Sequence, residues 1–107
     1  MLEFSKRLLS QVKKRLRETG TDFDEEIISH IESCATDLND AGILLSFFIP
    51  GDDTWRPDPQ ILQAVRLYCL ANHGLYNSDM EKYDKAYRSL KSTLCTQRKY
   101  TEADYGI

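Results

Sequence analysis

Residues 59 to 73, Pro-Gln-Ile-Leu-Gln-Ala-Val-Arg-Leu-Tyr-Cys-Leu-Ala-Asn-His, wind into a helix with almost no face that it can leave to water. Ile61, Ala64, Val65, Tyr68 and Ala71 recur at spacings of three and four, and Leu62, Leu67, Cys69 and Leu70 fill most of the remaining circumference. Gln60, Gln63, Arg66 and His73 make only a narrow polar strip. A helix of this kind belongs at the centre of a fold, covered on several sides. Its larger side chains contribute roughly 1.5–3 kcal/mol each on burial, which makes it the largest single source of stability. Asp58 is placed to cap it, and Pro59 suits its first turn.

The signals that follow describe a helical hairpin. Gly74 stops the first helix, Gly74 to Asn77 turn the chain, and Ser78-Asp79-Met80-Glu81 has the Ser-x-x-Glu form of a capping box. Met80, Tyr83, Tyr87, Leu90 and Leu94 then fall at steps of three and four, the seam of a helix that packs on one partner. Two further helices precede this hairpin. Phe4, Leu8, Leu9, Val12 and Leu16 share one face of the first, which Glu18-Thr19-Gly20 closes. Phe23, Ile27, Ile28, Ile31, Cys34, Ala35, Leu38 and Ala41 form the stripe of the second, with Asp22 or Asp24 as cap and Gly42 as stop.

The expected fold is therefore all-α, a small four-helix bundle in which a long apolar link joins helices two and three. A helical domain over 1–96 is followed by an extended C-terminal tail over 97–107. At 107 residues the chain suffices for one domain with a modest core. No run approaches the roughly 20 apolar residues that span a bilayer, and residues 1 to 7 lack a signal peptide's apolar core, so no membrane partner and a cytosolic site of synthesis are expected.

The link is the least globular-looking stretch: Ile43-Leu44-Leu45-Ser46-Phe47-Phe48-Ile49-Pro50-Gly51-Asp52-Asp53-Thr54-Trp55-Arg56-Pro57. Two readings stand. Ile43, Leu44 and Phe47 tuck over the core while the rest turns, or Phe47, Phe48, Ile49 and Trp55 are more apolar surface than a small bundle covers and meet another chain. The tail has no helical stripe, yet Tyr100, Tyr105 and Ile107 distinguish it from a purely solvated end. It is read as a disordered end or as a segment that orders on a partner, and truncation after Gln97 is expected to spare the fold.

Charge is unevenly laid out within a net of −3. Lys6, Arg7, Lys13, Lys14, Arg15 and Arg17 make the first helix basic, whereas Asp22 to Asp58 holds ten acids against Arg56 alone. This pattern is a solvated surface, or it sets one copy's acidic side against another's basic side. Cys34, Cys69 and Cys95 are odd in number and widely spaced, which reads as free thiols. His30 and His73 are far apart with no Cys or His at ligand spacing, so neither a metal nor any other cofactor is expected. Enzymatic activity is not expected either: there is no Gly-rich phosphate loop, no Ser or Cys beside an evident base, and the paired acids lie at a helix start.

Several stretches together carry a family likeness: Leu9 to Leu16 with Val12-Lys13-Lys14-Arg15-Leu16 at its core, Asp22 to Ile27, and Asp37-Leu38-x-x-Ala41-Gly42-Ile43. It continues through Ala64-Val65-x-Leu67-Tyr68, Asn72-x-Gly74-x-Tyr76-Asn77 and the Tyr83-Tyr87-Leu90-Leu94 seam. In order and spacing, over roughly residues 5 to 95, these resemble the small helical head-tail connector proteins of long-tailed bacteriophages and prophages, some described as DNA packaging proteins. The resemblance implies a structural virion protein assembled in the bacterial host cytoplasm. About a dozen copies would close a ring by head-to-tail contacts, dock on the portal protein at the neck, and support a head-completion or stopper protein while packaged DNA passes through. It also implies a portal-binding tail, here Tyr100, Thr101, Glu102, Asp104, Tyr105 and Ile107. The candidates for contacts between copies are Phe47, Phe48, Ile49, Trp55, Lys13, Lys14, Arg15, Arg17, Asp52 and Asp53. The competing reading is a small helical DNA-binding regulator that uses Lys13, Lys14, Arg15 and Arg17 on phosphates.

Overall fold

The computed structural model describes residues 2–73 and 79–102. Among them the chain forms four long helices, α1 (Leu2–Leu16), α2 (Asp24–Asp40), α3 (Pro59–Asn72) and α4 (Met80–Cys95). A 3-10 turn at Leu45–Phe48 lies between α2 and α3, and a short α5 (Arg98–Thr101) follows α4. No strand occurs among the described residues, and the fold is the expected all-α bundle.

α3 takes the central place that its composition demands, packing on α1, α2 and α4, while α1 also packs on α2. Ile61, Ala64, Val65 and Cys69 are fully enclosed, and Leu62, Leu70 and Ala71 nearly so. Phe4, Leu8 and Val12 of α1 and Ile27, Ile31, Cys34, Ala35 and Leu38 of α2 close over them, with Tyr87 and Leu94 from α4. The α4 seam is shallower, since Tyr83 and Leu90 are only half-buried. That helix starts with Asp79 at the N-cap, one residue later than a box built on Ser78 requires; Ser78 and the 74–77 turn lie outside the described residues.

α1 and α2 end in the same way on different residues. At the end of α2, Gly42 adopts φ 115, its N–H reaches Asn39 O (3.0 Å) and that of Ile43 reaches Leu38 O (3.0 Å). This is a Schellman stop, with buried Ile43 and Leu38 supplying its apolar contact. At the end of α1 the left-handed position is filled by Arg17 (φ 60), with Arg17 N–H to Lys14 O (3.3 Å) and Glu18 N–H to Lys13 O (3.0 Å). The stop expected at Glu18-Thr19-Gly20 thus falls at Arg17, which carries a Cβ in a region that disfavours one. Neither proposed acid caps α2 through its side chain: Phe23 sits at the N-cap, and Asp24 pairs with Lys13 (2.7 Å).

The link folds back on the bundle. Phe48 is enclosed and meets the edge of Phe4 with ring centroids 5.2 Å apart, and Trp55 meets Phe4 at 6.1 Å. Arg7 fastens the same turn, donating from Nη1 to Asp52 O (3.1 Å) and from Nη2 to Gly51 O (3.4 Å). Of the four apolar candidates for contacts between copies, Phe48 is core, Phe47 and Trp55 are half-buried against it, and Ile49 is exposed. The tail boundary also moves. α5 docks, Tyr100 is fully enclosed, its carbonyl accepts from Leu44 N–H (2.8 Å), and its ring lies 5.1 Å from that of Phe47. The link and the C-terminal segment are held against each other here, which no local pattern in either one encodes.

Two outcomes follow from this packing. Arg17→Gly relieves the left-handed strain and is expected to raise stability by about 0.5–1 kcal/mol, a few degrees in a thermal melt followed by circular dichroism. Truncation after Gln97 removes an aromatic core residue and is expected to cost about 3–5 kcal/mol; an unchanged melt would place Tyr100 outside the core.

Candidate functional site

The junction where α5 meets the start of α3 is built on one carboxylate. Asp58 Oδ1 accepts from Gln60 N–H (2.9 Å) and Ile61 N–H (3.2 Å), the cap expected from sequence, and also from the Tyr100 hydroxyl (2.9 Å). Its second oxygen lies 3.0 Å from Lys99 Nζ. Burial of the Asp58 carboxyl works to raise its pKa, but donation from Lys99, Ile61, Tyr100 and Gln60 outweighs it and holds the group below the usual carboxylate value. Tyr100 is driven the other way, by burial and then by the Asp58 charge. The result is an anion that caps a helix and anchors the last described turn of the chain. Of the six tail candidates, Tyr100 is a packing residue, Thr101 is half-buried and Glu102 is exposed. Asp104, Tyr105 and Ile107 lie outside the described residues.

A second polar knot joins α2 to α4. Tyr87 donates its hydroxyl to Asp37 Oδ2 (2.6 Å), and Lys91 Nζ approaches the same oxygen at 3.0 Å. Burial opposes ionisation of Asp37, yet these two donors and the Lys91 charge keep it below the carboxylate range. Burial raises the Cys34 thiol strongly, and Cys69 is pushed up to about 12. Both cysteines are enclosed thiols that stay protonated, so neither is a nucleophile.

The surfaces left open coincide in part with those expected. Leu45 and Ile49, at 51% and 59% exposure, are the large apolar groups that the link still presents. Leu45 was missed because a run of apolar residues does not say which of them the 3-10 turn points outward. Lys13 is committed inside the molecule, to Asp24 and to Gly20 O (2.5 Å), whereas Lys14, Arg15 and Arg17 remain exposed. That removes one of the four cations on which the DNA-binding reading rests. Asp52 and Asp53 are exposed on the turn that Arg7 holds. Hydrogen bonds from the Thr54 hydroxyl and N–H keep Asp52 below its ordinary pKa, so it stays anionic.

His30 and His73, far apart along the chain, are brought together by folding. Their rings lie 6.0 Å apart, and donor atoms of Glu26, His30 and His73 all fall within 4.8 Å of one another. The Glu-x-x-x-His spacing of Glu26 and His30 was legible as one helical face; nothing in the sequence linked His73 to it.

A family model described as "Phage connector protein" matches residues 8–101, from the first helix through α5. No curated protein and no solved structure matches.

The Asp58 junction sets a pH dependence. Because its pKa is lowered on folding, its contribution is present above the unfolded carboxylate value near ~3.9 and is lost as pH falls through the folded value. Asp58→Asn keeps a capping oxygen but loses the charge, and is expected to lower stability at neutral pH by about 1–2 kcal/mol. Urea midpoints of wild type and variant should approach one another as the pH is lowered below the unfolded carboxylate value and Asp58 takes up its proton.

Proposed function

This chain belongs to the phage connector protein family, and from that premise we propose that it is a structural subunit of the head-tail junction. Copies close into a ring of about a dozen through head-to-tail contacts. The ring docks on the portal protein, extends the channel for packaged DNA, and supports the next neck component. The observation that carries this reading is the span of the family match, which runs from within α1 to the end of α5.

The surfaces fit such a ring in particular ways. Leu45 and Ile49 project from a turn whose backbone is fixed by Phe48 in the core and by the Leu44–Tyr100 hydrogen bond. An apolar pair on a fixed mount is suited to a contact that must repeat identically between copies. Lys14, Arg15 and Arg17 at one end of α1, and Asp52 and Asp53 on the link, are exposed charges of opposite sign on separate elements, suited to pairing between neighbours. Acids left facing the bore leave DNA phosphates un-neutralised, so the duplex slides without binding. With Tyr100 enclosed in the bundle, its role in this reading is to position α5 rather than to touch a partner.

Size-exclusion chromatography with light scattering, on the protein alone and mixed with a portal protein, tests the reading. Wild type is expected to assemble or to co-elute with the portal. The double variant Leu45→Asp, Ile49→Asp is expected to stay monomeric, with a melting temperature within a few degrees of wild type, because both side chains are exposed. A wild-type monomer that ignores the portal would remove the basis for a connector role.

A further inference from the structure

Glu18, Glu26, His30 and His73 come from the α1–α2 connection, from α2 and from the end of α3, and they meet on one side of the bundle. We propose that Glu26, His30 and His73 form a binding site for a divalent transition metal of the zinc class, with Glu18 positioning His73.

The observation behind this is a pair of imidazole nitrogens that the protein buries and does not satisfy. His73 Nδ1 and His30 Nε2 are both buried and lack a hydrogen-bond partner among the described residues. The His73 side chain is only 8% exposed. Both nitrogens face the same carboxylate oxygen, Glu26 Oε1, at 3.9 and 3.6 Å, too far for hydrogen bonds. Bare buried nitrogens converging on a carboxylate are a poor arrangement for a core and a suitable one for a cation between them.

The tautomer is right as well. Glu18 Oε1 lies 3.2 Å from His73 Nε2, so the ring donates its proton there and leaves the Nδ1 lone pair facing the cluster. A carboxylate behind a ligating histidine is the usual outer support of such sites. The ring of Phe23 meets that of His73 edge-on with centroids 5.6 Å apart.

Distances fit the small, strongly bonded ions. Zinc–nitrogen bonds of about 2.0–2.1 Å at tetrahedral angles set ligand atoms roughly 3.3–3.5 Å apart. The two distances to Glu26 exceed this by about 0.1–0.6 Å and the two imidazole nitrogens lie within 4.8 Å of each other, so an ion would draw in the rings together with Glu26, which is 51% exposed. Two imidazoles with one carboxylate select zinc, cobalt or nickel over magnesium or calcium, which take all-oxygen sets. The fourth position is left for water. The bound ion would staple α2 to the end of α3, with Glu18 of the α1–α2 connection held behind His73, a role independent of whether the protein sits in a neck ring.

The test uses the full chain stripped with a chelator, with thermal melts and calorimetric titration in zinc chloride and, as control, magnesium chloride. Zinc is expected to raise the melting temperature by several degrees, reversibly with chelator, and magnesium to leave it unchanged. His30→Gln and His73→Gln should abolish the response, and Glu18→Gln should weaken affinity by about 10- to 100-fold. His30 is partly exposed, so its variant decides the matter if His73→Gln fails to fold. Cobalt should give visible d–d bands without a thiolate charge-transfer band. No zinc shift, an equal shift in the histidine variants, or a thiolate band assigning the ion to cysteine would each overturn the proposal.

Discussion

A helix that is apolar on nearly every side sets the terms for this molecule. α3 has no face that it can leave to water, so the chain must bring α1, α2 and α4 around it. Those helices are narrower amphipaths with stripes wide enough for that task and little more. The order of the elements follows from the same need, because α3 lies late in the chain and α1 and α2 must fold back to meet it. What these four helices leave uncovered is then closed by segments that are not long helices: Phe48 and Trp55 against Phe4, and Tyr100 against Phe47.

Polar contacts do a different job from the core. Asp58 and Asp37 each gather donors from distant parts of the chain onto one carboxylate, and both hold their charge because those donors outweigh the penalty of burial. Asp58 ties the start of the central helix to the last described turn, and Asp37 ties α2 to α4. Lys99 and Tyr100 thereby hold the last described turn against the start of α3, and Leu45 and Ile49 are presented from a turn anchored by Phe48 in the core.

The helices were legible in the sequence because their signals are local and agree with each other: Asp58 and Pro59 at the start of α3, Gly42 after α2, and apolar spacings of three and four throughout. The candidate surfaces were legible only as stretches. The link stands out as unusually apolar and the tail as more than a solvated end, but the residues that look most suited to a partner, Phe48 and Tyr100, are the ones that the bundle itself consumes. Large aromatic side chains are the best fillers for gaps between helices, and sequence has no means of showing where those gaps fall. Lys13 shows the same limit for charge, since its place in a basic run gave no sign of the internal pairing with Asp24.

By itself, then, the sequence determined a helical bundle around residues 59–73, the approximate ends of its helices, and a likeness to phage connectors that the family match over 8–101 supports. Those features depend on periodicity, caps and order along the chain, all of which are local or cumulative. Only the tertiary structure decided that Tyr100 is core, that Arg17 carries the left-handed turn, that Leu45 and Ile49 face outward, and that His30 and His73 share one space with Glu26. Each of these depends on which segments approach one another across many intervening residues, and burial and electrostatic pairing act on distance in space rather than distance along the chain.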